Sequence, residues 1–124
     1  MLIIRVYNMT IISINRIGVL KMYQVAVLKA DYEGWWLFEG WQEELTEARH
    51  FSSEEAMLDY YWKLVERMME NFHSYQTGKY DLMAFYNACE LEYCEECEED
   101  LQIYYTPICL KNDEFLEVRK NMNI

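Results

Sequence analysis

The stretch from Ser53 to Phe72 carries the pattern that most limits how this chain can fold. Tyr61, Val65, Met68 and Phe72 recur at spacings of three and four, widened by Met57, Leu58, Leu64 and Met69, while Asp59, Lys63, Glu66, Arg67 and Glu70 fall on the other side. That 3.6-residue period predicts one long amphipathic helix. Ser52 or Ser53 can cap it, and Glu54 or Glu55 stands near the positive end of its dipole. The methionines and tyrosines on its apolar line read as core packing rather than a ligand box. A helix with a single apolar stripe needs another layer to cover it, so the remaining chain has to supply a sheet.

Strand signals lie on both sides. Tyr23, Val25, Val27 and Lys29 alternate with Gln24, Ala26 and Leu28, a strand largely buried on both faces. Asp31 to Gly34 reads as a turn. The next run, Trp35-Trp36-Leu37-Phe38-Glu39-Gly40-Trp41, holds three of the four tryptophans, and with Gly34 it contains two of the four glycines. It reads as a second strand paired with the first in an antiparallel hairpin, and as the central strand beneath the long helix. Alternation would send Trp35, Leu37, Glu39 and Trp41 to one face and Trp36, Phe38 and Gly40 to the other. A two-layer domain buries one such face, so the other is a candidate interface for a protein partner, since tryptophan is typical of binding hot spots. Trp35, Trp36, Phe38 and Trp41 are therefore the candidate binding residues.

Further along, residues 73–80 read as a loop pivoting on Gly78, and Leu82 to Asn87 leans towards strand. Cys94, Cys97, Leu101 and Tyr104 share helical spacing, which predicts a short second helix. Thr106 to Leu110 and Phe115 to Val118 form a last hairpin around Lys111-Asn112-Asp113, with Pro107 at a sheet edge or a strand beginning. The expected fold is α+β: an antiparallel sheet of about four to five strands packed against one long and one short helix.

Charge narrows the function classes. There are 11 basic and 22 acidic residues in the chain, a net −11. Residues 1–21 contain Arg5, Arg16 and Lys21 and no acid, so the part from Met22 onward holds 8 basic and 22 acidic residues, or −14. Nucleic acids and anionic membranes repel such a surface, whereas a basic protein partner or a metal cation suits it. The composition break makes Met22 the expected start of a single domain over 22–124. Residues 1–21 are then a translated upstream extension, or else a disordered segment or extra strand. Arg5, Asn8, Ser13, Asn15 and Arg16 interrupt the apolar character of 1–21, which therefore suits neither an export signal nor a membrane span. A cytoplasmic protein with reduced thiols is expected.

Cys89, Cys94, Cys97 and Cys109 include one Cys-x-x-Cys pair. Tetrahedral zinc would take Cys94 and Cys97 plus two ligands from Cys89, Cys109, His50 or His73. A catalytic thiol is disfavoured, because the seven carboxylates between Glu90 and Asp100 oppose a thiolate. The plainer reading is two small apolar side chains on the inner stripe of a helix, with the carboxylates on its solvated face. No phosphate-binding glycine loop or nucleophile–histidine motif accompanies the two histidines, so no catalytic residue can be named.

Met22-Tyr-Gln-Val, Gly34-Trp-Trp-Leu-Phe-Glu-Gly-Trp41 and Tyr93-Cys-Glu-Glu-Cys-Glu-Glu-Asp-Leu-Gln102 together resemble a small bacterial family, domain-of-unknown-function family ten-thirty-three, over about residues 22 to 118. Members are often labelled DNA-binding proteins. The resemblance implies that label, a start at the position of Met22, and no established activity or catalytic residue. Against the label, Lys63, Arg67, Lys79 and Lys111 are scattered through the sequence and form no basic stripe. The expected function is that of an uncharacterised acidic interaction module, with a zinc-stabilised module or the DNA-binding label as alternatives.

Overall fold

The structure is a computed structural model that describes residues 22–118. The extension expected at 1–21 lies outside the described residues. Eight strands and one α-helix follow in order: β1 (Tyr23–Ala30), β2 (Leu45–Phe51), α1 (Glu54–Asn71), β3 (Ser74–Thr77), β4 (Met83–Tyr86), β5 (Leu91–Cys94), β6 (Glu99–Gln102), β7 (Tyr104–Lys111) and β8 (Glu114–Leu116). The main sheet runs β2-β1-β7-β4-β3, with β8 also on β7, and β5 and β6 form a separate two-stranded ribbon. Every recorded pairing is antiparallel.

β1 explains the architecture. It pairs with β7 along its whole length, from Tyr23↔Lys111 to Ala30↔Tyr104, and with β2 on its other side. A strand with neighbours on both sides and layers on both faces leaves little access to solvent, which is why apolar residues stand on both phases and only Lys29, near its end, is exposed. α1 starts as its sequence predicts: Ser53 Oγ accepts from the Ala56 amide at 3.1 Å, with Glu54 and Glu55 in the first turn. Its buried line of Met57, Tyr61, Leu64, Val65 and Met68 packs on Tyr23, Val25, Val27, Phe85 and Cys109. In doing so the helix carries the chain from the β2 edge of the sheet to the β3 edge.

The opposite face of the sheet is also covered, and by an unexpected element. Trp35, Leu82, Ala84, Ile108 and Leu110 form a second buried cluster, joined by the partly buried Trp41, Leu45, Tyr80, Tyr104 and Phe115. The tryptophan run is therefore no strand. Gly34–Trp36 and Trp41–Glu44 are short 3-10 turns, Leu37 has φ 46° and Gly40 φ 87°, and the segment lies as a loop across the sheet. Two left-handed residues so close together end any ladder. Aromatic richness signalled burial but not the backbone that achieves it.

Three other expectations change. The predicted helix over Cys94 to Tyr104 is the β5–β6 hairpin followed by the start of β7: Glu98 turns at φ 56°, and α1 is the one α-helix among the described residues. The i,i+3 and i,i+4 spacings of Cys94, Cys97 and Leu101 span a turn and a strand. Part of the expected loop at 73–80 is β3, which pairs with β4 from Ser74↔Tyr86 to Thr77↔Met83. Pro107 sits inside β7, fully buried, rather than at an edge. β4 meets β7 at Tyr105 and β8 meets it from Cys109 onward, so Pro107 falls between the two ladders. That gap is where a residue without an N–H fits.

Candidate functional site

The loop that crosses the sheet splits its aromatics into anchors and an exposed pair. Trp35 is 8% exposed and faces the sheet, whereas Trp36 and Phe38 are 49% and 51% exposed. Trp41 is partly buried against the same cluster as Trp35. Of the four expected binding residues, two are thus available to a partner and two hold the loop down.

Close backbone contact fixes that division. The Gly34 amide donates to the buried Thr106 Oγ1 at 3.0 Å, and a Cβ on Gly34 would lie 2.6 Å from the same oxygen. On the far side of the loop a Cβ on Gly78 would lie 2.6 Å from Cζ2 of Trp35. Both glycines are absences that another group fills: Thr106 at one, the Trp35 indole at the other. With Trp35 seated, the chain reverses through left-handed Leu37, and Trp36 and Phe38 emerge on the outside.

Outside, the rings form an ordered group. Trp36 and Phe38 lie nearly parallel, 9° apart in plane with centroids 6.3 Å apart, and Tyr32 meets Phe38 edge-on at 4.8 Å. Lys79 Nζ stands 5.8 Å from the Trp36 ring centroid and 5.5 Å from that of Tyr80, within cation–π range. Tyr80 and Asp81 have φ of 60° and 59°, so the patch is bordered at Leu37, Tyr80 and Asp81 by non-glycine residues in left-handed backbone. Asp31, Glu33, Glu39, Glu43 and Glu44 lie in the same loop, which has no basic residue. Burial raises the Tyr32 hydroxyl above the usual tyrosine range, followed by the charges of Glu44 and Asp31. Tyr32, Gly78, Lys79 and Tyr80 were missed as site residues. Only Gly78 had a readable signal, as an isolated glycine between two structured runs.

Cys94 and Cys97 do come together, at the tip of the β5–β6 hairpin rather than on a helix. Their sulfurs are 2.6 Å apart, and the Cys97 amide donates to Cys94 Sγ at 3.2 Å. Hydrogen bonding with Cys94, then desolvation and the charges of Cys94, Glu99 and Glu96, pushes the Cys97 thiol up to about 11. Cys109 is buried under α1 and burial raises its thiol further, so it cannot reach the tip. Among the described residues no group of three or more His, Cys, Asp and Glu is gathered for a metal ion. His50 lies on the exposed strand β2 and His73 follows α1, apart from the pair.

A third feature is a cleft of about 340 Å³ beside the C-terminal half of α1, lined by Val27, Glu47, Arg67, Asn71, Glu90 and Tyr105 among others. The Tyr105 hydroxyl donates to the Glu90 carboxylate. Desolvation and that hydrogen bond push the hydroxyl up to about 12. Among the described residues no helix is long and apolar enough to cross a membrane.

The family described as Protein of unknown function (DUF1033) matches residues 22–124. The chain belongs to this family. The DUF1033 match includes the aromatic loop, the paired cysteines and the whole sheet, and so spans every feature described above. No curated protein and no solved structure matches the chain.

Proposed function

We propose that this DUF1033 chain is a protein-interaction module whose binding face is Trp36 and Phe38, flanked by Tyr32 and Tyr80, and whose partner presents a basic segment. One observation carries the reading: two large aromatics stand half exposed side by side while the second core cluster is closed without them by Trp35 and Trp41. Folding does not require their exposure. Exposed tryptophan beside tyrosine is the composition of an interface hot spot.

Charge gives the partner's chemistry. The loop's five carboxylates favour a cation at its rim, and Lys79 already occupies a cation–π seat over Trp36. An arginine or lysine from a partner would take an equivalent seat on the same rings, with the carboxylates steering its approach.

The test uses an array of basic and acidic peptides, with affinities measured by titration against the wild type, Trp36→Ala and Phe38→Ala. The expected outcome is preference for arginine-containing peptides and a loss of at least tenfold in either variant, at unchanged thermal stability. Equal binding by all three proteins removes the face. A salt-sensitive gel shift with duplex DNA, in the absence of peptide binding, replaces the reading with the nucleic-acid one.

A further inference from the structure

We infer that Cys94 and Cys97 are a dithiol–disulfide site, oxidised by a low-molecular-weight disulfide, and that the bond staples the β5–β6 arm. The arm is a ribbon of four-residue strands outside the main sheet, with Leu91 and Tyr93 51% and 59% exposed. A lone two-stranded ribbon is marginal in water. Its root is held: Gln102 Nε2 donates to the carbonyls of Asn87 and Glu90 at 2.8 and 2.9 Å, and the Ile103 amide donates to the Glu90 carbonyl at 3.2 Å. Its tip has only the turn itself, in which the Glu98 amide donates to the Cys94 carbonyl at 2.7 Å and Glu98 adopts φ 56°. That turn brings the two sulfurs together at the end where the ribbon has least support.

The chemistry balances with one oxidant molecule. A Cys94 or Cys97 thiolate attacks one sulfur of the small disulfide and expels the first thiolate. The other cysteine then attacks the resulting mixed disulfide and expels the second. The protein loses two electrons and two thiol protons, and the oxidant becomes two thiols. Glu95, Glu96, Glu98 and Glu99 surround the pair. They oppose a standing thiolate, which suits the pair poorly to catalysis, yet a disulfide is neutral and pays no such penalty. The product is therefore a slow, persistent link rather than a turnover site. Cys109 is buried under the helix and takes no part.

The test equilibrates the full chain with mixtures of oxidised and reduced glutathione, quenches with acid, alkylates, and maps the peptides by mass. The expected result is an intramolecular Cys94–Cys97 bond that dithiothreitol reverses and that Cys94→Ser and Cys97→Ser both lack. Amide hydrogen exchange at Glu92 and Leu101, a hydrogen-bonded pair of the ribbon two residues from the Glu90–Ile103 bond, is expected to slow about 20-fold on oxidation, the constraint expected from closing a four-residue loop. Three results would each overturn the inference: a pair that stays reduced in a predominantly oxidised pool, a bond to Cys89 in its place, or exchange in the arm that oxidation leaves unchanged. Zinc that co-purifies and shields both thiols until a chelator is added would overturn it in favour of a metal clip.

Discussion

Gly78→Ala is the substitution that most directly tests how the aromatic loop is seated. Gly78 has φ −136°, on the ordinary negative side, so the cost of a methyl there is steric. The new Cβ would come within 2.6 Å of ring carbons of Trp35, against about 3.5–4.0 Å for a relaxed carbon pair. The indole must retreat by roughly 1 Å, and a gap of that size forfeits about a quarter to a half of each contact well on the face it leaves. The contacts disturbed are those Trp35 makes within its buried cluster of Leu82, Ala84, Ile108 and Leu110. Overpacking of this kind costs about 1–3 kcal/mol, and the burial of Trp35 places this case at the upper end, near 2–3 kcal/mol. For a domain of about 100 residues that corresponds to a fall in Tm of roughly 10–20 °C. Urea unfolding followed by far-UV circular dichroism measures it, with an unchanged m-value expected because the unfolded surface is the same. The decisive comparison is Gly78→Ala in a Trp35→Leu background, where the methyl finds room and most of the cost disappears, a coupling of about 1–2 kcal/mol. A loss below about 0.5 kcal/mol in the wild type, or the same loss in both backgrounds, would refute the seating of Trp35 on Gly78.

Thr106→Val keeps the shape of the side chain and removes the acceptor for the buried Gly34 amide, so a loss of about 1–3 kcal/mol is expected in the same unfolding assay, largely restored by Thr106→Ser. Tyr105 gives a pH signature. Its hydroxyl, pushed up to about 12, favours the folded state while neutral, so this contribution is whole below pH about 10 and is lost as pH rises from there towards 12. Tyrosinate absorbance should show a step near pH 12, ahead of the still later titration of the buried Tyr61; Tyr105→Phe deletes that step and Glu90→Gln moves it to lower pH. Persistence of that step in Tyr105→Phe would assign it elsewhere.

Wherever one period ran long enough, the sequence told the fold. α1 was readable because its apolar residues repeat from Met57 to Phe72 behind a serine cap, and β1 because apolar residues on both phases have one economical explanation, a strand buried on both faces. The Cys94 to Tyr104 segment misled because four residues at helical spacing are too few to distinguish a helix from a hairpin whose turn happens to span the same interval. β3 was invisible for a different reason. Ser74, Tyr75, Gln76 and Thr77 are all exposed on an edge, where pairing with β4 rather than burial holds them.

The tryptophan run shows what sequence leaves open even when it identifies the right residues. Its apolar content required burial, and both a strand and a folded-back loop could provide it. The choice is made by groups distant in sequence: Thr106 accepting the Gly34 amide, and Gly78 leaving space for the Trp35 ring. Once those two contacts seat Trp35, and Trp41 packs on the same cluster, the hydrophobic demand of that face is met. Trp36 and Phe38 then remain outside at half exposure, where desolvating them would favour association. A regular strand would have paired Trp35 with Trp41 on one face and Trp36 with Phe38 on the other. The loop preserves that same partition through a different backbone, which is why the pairing of side chains could be inferred from alternation although the strand could not.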